Sequence, residues 1–144
     1  DGPELINLRL LAGPTVNLLG RASDEELERA AQGADAFLFP GEEDFGISPV
    51  EAMSAGLPVI AFRSGGALDY VVPGKTGVYF EEQTVESMVK GIKRFNPSNF
   101  DSHKIALYAI TNFDDKIFKQ KMKSIVEREF EGMRARRREE LQSN

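Results

Sequence analysis

Four short apolar runs, separated by segments of helical pattern, limit the folds open to this chain more than any other feature of its sequence. Each run has the length of a strand, and short strands that alternate with helices are typical of βαβ units. The sequence therefore predicts an α/β fold with a mainly parallel sheet and flanking helices. Ligands bind such sheets beyond the carboxyl ends of the strands, so the loops after these runs are the candidate site. The runs are residues 16–19, 36–39, 59–62 and 77–80.

Helix start and stop signals divide the rest of the chain. Ser23 and Glu26 form a predicted capping box, and Thr84 is a second predicted cap. Beyond residue 100 the only glycine is Gly132, and the sequence predicts long helices, the last with an apolar stripe that fades after Phe130. We therefore expect an α/β domain over residues 1–98 and a helical extension over 99–144. The predicted helices cover residues 4–11, 24–32, 48–55, 67–72, 84–95, 101–110 and 114–138.

The composition excludes several kinds of site and partner. Without cysteine, the chain forms no disulfide, no zinc–cysteine site and no thiol nucleophile, and a single histidine excludes a multi-histidine metal site. The net charge of −5 disfavours nucleic acid as a partner. No apolar run approaches the ~20 residues of a membrane span. We expect a cytoplasmic protein of ordinary globular composition, with no metal site and no cofactor.

The loop after Phe39 is the most informative segment. It would follow a strand and open a helix near Ser48, and the free N–H groups of a helix start favour an anion. Gly46 would let a ligand approach the main chain closely. Three carboxylates, Glu42 to Asp44, lie just upstream and suit a ligand that also carries hydroxyl groups. An anion with an attached sugar, such as a nucleotide sugar, fits both features.

Glu43 and Glu51, with seven residues between them, resemble the paired-glutamate motif of the retaining glycosyltransferases of family 4, the group 1 glycosyl transferases. The resemblance runs through residues 42–61 and includes segments 1–4, 65–68 and 74–77, so it covers about residues 1–95. The tail, with Phe113 and Phe118, is a looser match. The sequence of residues 42–47 most closely resembles that of the mannosyltransferase-like members of the family.

This resemblance implies the GT-B architecture, in which two Rossmann-like domains face a cleft and the C-terminal one binds the donor. The chain would be most of that donor-binding domain, incomplete at its N-terminus. By resemblance, Glu43 would be the catalytic residue that contacts hydroxyls of the transferred sugar, and Glu51 would hold the donor ribose. The donor-binding set would further include Phe45, Gly46, Ile47, Gly20 and Arg21.

The resemblance also implies parts that residues 1–144 do not contain. The family has an arginine and a lysine upstream of the Asp-Gly-Pro segment that neutralise the donor diphosphate, and an N-terminal acceptor domain. Without them the leaving group would lack its stabilising partners, so we expect the chain to be inactive by itself. The full enzyme would transfer a sugar from a nucleoside diphosphate, with GDP-mannose favoured, to a hydroxyl acceptor such as a glycan or lipid-linked sugar. It would retain anomeric configuration and require no metal.

Simpler interpretations accompany these roles. Glu51 could complete a capping box with Ser48, and Gly65-Gly66 could be a plain turn. The arginines from Arg134 to Arg138 could be a solvated helix end or could contact an anionic membrane at its inner face. Two other functions stay open. One is a different GT-B enzyme, such as a sugar-nucleotide epimerase or a sucrose- or trehalose-type synthase, and the other is a non-catalytic or rebuilt nucleotide-binding module.

Overall fold

The computed structural model describes residues 2–142, without the side chains of residues 135 and 139–142, so Asp1 lies outside the described residues. The chain divides into two compact units, Asp1–Ala34 and Asp35–Asn144. The boundary that the sequence predicts near residue 98 is a separate expectation and stays a prediction.

The first unit contains two helices, α1 (Leu5–Leu11) and α2 (Asp24–Gln32). The predicted capping box is confirmed: the Glu26 N–H donates to the Ser23 hydroxyl, and the Ser23 N–H donates to the Glu26 carboxylate at 2.8 Å. The strand predicted for residues 16–19 is wrong, because the segment has no strand pairing in the part of the chain that the structure describes. A strand needs a neighbour for its main-chain hydrogen bonds, and Val16 donates only to the nearby Gly13 carbonyl.

The second unit is built on a three-stranded parallel sheet. Its strands are β1 (Phe37–Phe39), β2 (Val59–Phe62) and β3 (Gly77–Phe80), which lie side by side in chain order. Three of the four predicted strands are therefore confirmed. Since all strands are parallel, their carboxyl ends lie at one edge of the sheet, followed by the loops that the sequence marks as the candidate site.

Helices connect and flank these strands as the sequence predicts. Helix α3 (Ile47–Ser54) joins β1 to β2, the short helix α4 (Ala67–Tyr70) joins β2 to β3, and a helical tail follows. The Thr84 hydroxyl caps α5 (Val85–Arg94) by accepting from the Ser87 N–H at 3.2 Å. The bounds are α3 Ile47–Ser54, α4 Ala67–Tyr70, α5 Val85–Arg94, a 3-10 turn Pro97–Asn99, α6 Ser102–Phe113 and α7 Asp115–Gln142.

The core lies where β2 and α4 meet α3 and α6. Its fully buried members include Met53, Val59, Tyr70 and Ile105. Strand β1 is less buried than its apolar sequence predicts, since Leu38 is 39% exposed. The reason is position: within the described residues β1 is an edge strand of the sheet, so it is covered less than the central strand.

Helix α7 extends well beyond this core. The predicted apolar stripe begins at Ile117, which is half-buried. Its other members are all at least 45% exposed, and they are Phe118, Met122, Ile125, Val126 and Phe130. None of the helices in the described part of the chain combines the length and apolar character needed to cross a bilayer.

Candidate functional site

The loops at the carboxyl edge of the sheet are joined by hydrogen bonds to main-chain carbonyl groups. The Gly66 N–H, after β2, donates to the Glu43 carbonyl, after β1, at 2.7 Å. The side-chain amide of Gln83, after β3, donates to the Pro40 carbonyl at 3.1 Å. Because three loops hold one another in this way, the acidic segment after β1 has a fixed path along the sheet edge.

The pair Gly65-Gly66 allows this contact because neither residue has a side chain. A Cβ atom at Gly65 would lie 2.5 Å from the Glu43 carbonyl oxygen, and one at Gly66 would lie 2.4 Å from the Phe45 carbonyl oxygen. Both distances are far below any ordinary contact. The pair therefore packs the loop after β2 directly onto the main chain of residues 43–45, which is more than a plain turn.

The three carboxylates of this loop have different surroundings. The Glu42 carboxylate accepts a hydrogen bond from the Ser64 hydroxyl at 2.7 Å. Glu43 and Asp44 are exposed, and within residues 2–142 neither side chain has a hydrogen-bond or ion-pair partner. Glu43, the predicted catalytic residue, is thus an exposed carboxylate on an anchored main chain.

Helix α3 begins at this loop without a side-chain cap. Its N-cap is Gly46, whose φ of 83° lies in the left-handed region that favours glycine, and no side chain accepts from the first turn. The capping box between Ser48 and Glu51 is therefore wrong, because the helix starts one residue before Ser48. The Glu51 side chain is exposed and has no partner in the described residues, while the helix start keeps free N–H donors.

Phe45 and Ile47 flank Gly46 at this helix start. Both are exposed, at 46% and 64% respectively. The Phe45 ring also packs edge-to-face on Phe113 of α6, with centroids 6.0 Å apart, and Phe113 in turn contacts Tyr108 at 6.1 Å. The helical tail thus packs against the loop through the contact between Phe113 and Phe45. Nothing in the spacing of the sequence indicates this contact.

Tyr70 is the residue of this region that sequence reasoning missed. It is fully buried at the end of α4, and its hydroxyl lies next to Gly46, because a Cβ atom built on Gly46 would be 2.8 Å from that oxygen. Burial, together with the nearby charges of Glu43 and Tyr79, raises the pKa of Tyr70 to about 12. The phenol therefore keeps its proton at neutral pH.

Gly20 and Arg21, the other predicted donor-binding residues, belong to the first unit. Gly20 has a φ of 71° and lines a pocket of about 440 Å³ between the first turns of the chain and segment 17–20. Arg21 is exposed. Within the described residues, no group of three or more His, Asp or Glu side chains is arranged to hold a metal ion.

With this geometry established, comparison with known proteins identifies the family. A family profile described as "Glycosyl transferases group 1" matches residues 4–136. The chain belongs to the group 1 glycosyl transferases. The resemblance drawn from the paired glutamates is therefore confirmed at the level of the family.

Two curated relatives illustrate the range of this glycosyltransferase family. The chain is 38% identical over 99 residues to the sulfoquinovosyl transferase of Arabidopsis thaliana, covering 65% of the chain and 19% of the relative. It is 37% identical over 93 residues to the alpha-1,3/1,6-mannosyltransferase of Dictyostelium discoideum, covering 62% of the chain and 22% of the relative. The chain thus spans about a fifth of the length of each relative.

A solved structure supports the fold. Sucrose-phosphate synthase from Thermosynechococcus elongatus superposes with a TM-score of 0.72 at 23% identity, covering 88% of this chain and 33% of that one. The predicted α/β fold, a parallel sheet with flanking helices and a helical tail, is confirmed as part of a GT-B glycosyltransferase. The roles assigned to single site residues stay predictions.

Proposed function

We propose that this glycosyltransferase domain binds a nucleoside-diphosphate sugar at the carboxyl edge of the sheet, for retaining transfer of the glycosyl group to a hydroxyl acceptor. One observation carries the proposal. Two exposed carboxylates without partners in the described residues, Glu43 and Glu51, flank a helix start that no side chain caps. A ligand that carries an anionic group and sugar hydroxyls could bind the helix start through its anion and both carboxylates through its hydroxyls.

Each part of such a donor has a counterpart in this arrangement. The N–H groups at the start of α3 would receive a phosphate oxygen, because the positive end of the helix dipole favours an anion there. The Glu51 carboxylate would accept both hydroxyls of the ribose, and Glu43 those of the transferred sugar. The main chain of Phe45, Gly46 and Ile47 would lie against the diphosphate and sugar.

The departing diphosphate needs more positive charge than these residues offer. Arg63, at the same edge, already pairs with Glu81 at 3.4 Å. We propose that the remaining cationic groups, and the acceptor domain, belong to parts of the full protein outside residues 1–144, and that the reaction needs no metal. The chain alone is then expected to bind donor weakly and to show no turnover.

The proposed donor is GDP-mannose. The basis is the mannosyltransferase-like sequence of residues 42–47, and one of the two relatives is named as a mannosyltransferase. Calorimetric titration of the full-length protein with GDP, GDP-mannose and UDP-glucose tests this choice. Tighter binding of UDP-glucose would contradict the choice of GDP-mannose. A separate analysis of the products distinguishes sugar transfer from epimerisation and from sucrose- or trehalose-type synthesis.

Variants of the two glutamates test the site itself. We expect Glu51→Ala to weaken donor binding by about tenfold to a hundredfold, the effect of losing hydrogen bonds to a charged group. We expect Glu43→Gln to lower kcat by a similar factor while donor affinity changes less. Glu82→Gln, an exposed carboxylate after β3, is the matched control and should change neither quantity.

The outcomes distinguish the rival interpretations. Unchanged donor affinity in Glu51→Ala would remove the ribose assignment, and unchanged turnover in Glu43→Gln would remove the catalytic one. A full-length protein that folds but binds no nucleotide or nucleotide sugar would be a non-catalytic module.

Location and membrane contact are also part of the proposal. We infer a cytoplasmic enzyme that touches the inner face of a membrane through the exposed arginines from Arg134 to Arg138. Co-sedimentation with anionic vesicles should then be lost at high salt and absent with neutral vesicles. Equal sedimentation with both kinds of vesicle, or with neither, would contradict this contact.

A further inference from the structure

The hydroxyl of Tyr70 is an unused hydrogen-bond donor inside the protein. The side chain is fully buried, and its oxygen is the buried side-chain polar atom that has no hydrogen-bond partner among the described residues. Such an atom costs folding free energy, which is why nearly all buried polar groups are paired. A phenylalanine would fill the same space without this cost, so the hydroxyl calls for an explanation other than stability.

A second tyrosine nearby provides the contrast. The Tyr79 hydroxyl lies 2.7 Å from the Val71 carbonyl oxygen and 3.0 Å from the Ala67 carbonyl oxygen. It therefore donates to the main chain of the α4 region and has a structural role. The two phenols lie in the same part of the fold, but only the Tyr79 hydroxyl is paired in the described structure.

The position of the Tyr70 hydroxyl indicates what it could bind. It lies against Gly46, at the bend that starts α3, where a Cβ atom would be 2.8 Å from the oxygen. The same short element also holds the acidic loop, because Gly66, directly before α4, donates its N–H to the Glu43 carbonyl at 2.7 Å. The Tyr70 hydroxyl thus lies next to the segment that carries Glu43. Burial is the main cause of the raised pKa of Tyr70, and the nearby charge of Glu43 raises it further.

We propose that Tyr70 is a positioning residue for Glu43, whose carboxylate turns toward the Gly46 bend when a donor binds and accepts a hydrogen bond from the Tyr70 hydroxyl. This inference rests on the proposed role of Glu43. The hydrogen bond would fix one carboxylate oxygen and leave the other for the sugar hydroxyls.

The test is Tyr70→Phe in the full-length protein, with Tyr79→Phe as the matched control and GDP-mannose and UDP-glucose as the probe donors. We expect Tyr70→Phe to keep or raise Tm, since no hydrogen bond of the described structure is lost. We expect kcat/KM to fall about tenfold, mostly through kcat. KM for the donor should change less than kcat, because Tyr70 acts on the orientation of Glu43 and does not itself contact the donor.

Tyr79→Phe should give the opposite pattern, with a lower Tm and unchanged kcat and kcat/KM. Tyr70→Phe with the kcat and kcat/KM of the wild type would overturn the inference. So would a loss of activity accompanied by a matching loss of Tm, which would indicate a structural role. A wild-type protein that binds neither donor refutes the proposed function itself, and is therefore distinguishable from a failure of Tyr70 alone.

Nuclear magnetic resonance provides a second measurement that needs no variant to be active. In wild-type protein labelled at tyrosine Cζ, addition of GDP-mannose should shift the Tyr70 resonance, assigned through Tyr70→Phe. The Tyr79 resonance should stay in place. A Tyr70 resonance that is unaffected by saturating donor would overturn the inference independently of any kinetic result.

Discussion

Substitution of Gly66 by alanine tests how the candidate site is assembled. Gly66 has φ −61° and ψ −18°, a conformation that alanine adopts without strain. The new methyl group would lie 2.4 Å from the Phe45 carbonyl oxygen and 2.6 Å from that of Asp44, both main-chain atoms that cannot rotate away. An ordinary contact needs about 1 Å more, so the acidic loop must move by that amount.

The cost follows from this displacement. Overpacking of this kind costs about 1–3 kcal/mol, and loss of the hydrogen bond from the Gly66 N–H to the Glu43 carbonyl costs about 0.5–1.5 kcal/mol. Alanine recovers roughly 0.4–1 kcal/mol by restricting the unfolded chain. We therefore expect the free energy of unfolding to fall by about 2–3 kcal/mol. Donor affinity of the full-length protein should also fall, by about tenfold or more.

Urea unfolding followed by circular dichroism measures the first effect, and calorimetric titration measures the second. The control is Gly74→Ala, where φ is 73° but no atom lies within 4 Å of the new methyl group. That variant should lose about 1–2 kcal/mol from left-handed strain alone, with donor affinity unchanged. A Gly66→Ala protein that unfolds at the wild-type urea midpoint would refute the loop-packing explanation.

Three further predictions concern the fold. Gly77→Ala should cost about 3 kcal/mol or more, seen in urea unfolding, because its methyl group would lie 2.0 Å from the Val59 carbonyl oxygen of the neighbouring strand. Thr76→Val should cost about 2–3 kcal/mol in the same assay, since the buried Thr76 hydroxyl makes two main-chain hydrogen bonds; an unchanged midpoint would contradict this. The main-chain N–H of Ser23 lowers the pKa of Glu26, so Glu26 stabilises the fold above its ordinary pKa of 4.5 and this contribution fades as pH falls through the lowered value. Ser23→Ala removes the hydroxyl, which is the second cause of this shift, but keeps the N–H, which is the larger cause. Carboxyl resonances should therefore show a Glu26 pKa that is still lowered, though less than in the wild type, and a full return to the ordinary value would contradict this.

Local rules were sufficient for most of the helices. The capping box at Ser23 and the cap at Thr84 depend on residues three positions apart, so the sequence contains all the atoms that make them. The same capping rule failed at Ser48, which also has a glutamate three residues later. There the left-handed Gly46 starts the helix earlier, at Ile47, and displaces Ser48 from the cap position.

A strand needs a pairing partner that is distant in the sequence, so the sequence predicted the strands less well than the helices. Residues 16–19 and 37–39 are both mainly apolar, yet only the second segment pairs with a neighbouring strand, because apolar character does not specify which strand is available. The edge position of β1 also explains why Leu38 is partly exposed despite its buried-strand pattern.

The sequence by itself determined the α/β class, the family and the acidic loop with Glu43 and Glu51, because these depend on short spacings along the chain. Only the tertiary structure decided how that loop is held. Gly66 donates to Glu43 across the sheet edge, Phe113 supports Phe45 from the helical tail, and Tyr70 places an unpaired hydroxyl under Gly46. These contacts join residues far apart in the chain, and their partners are set by how the strands and helices pack.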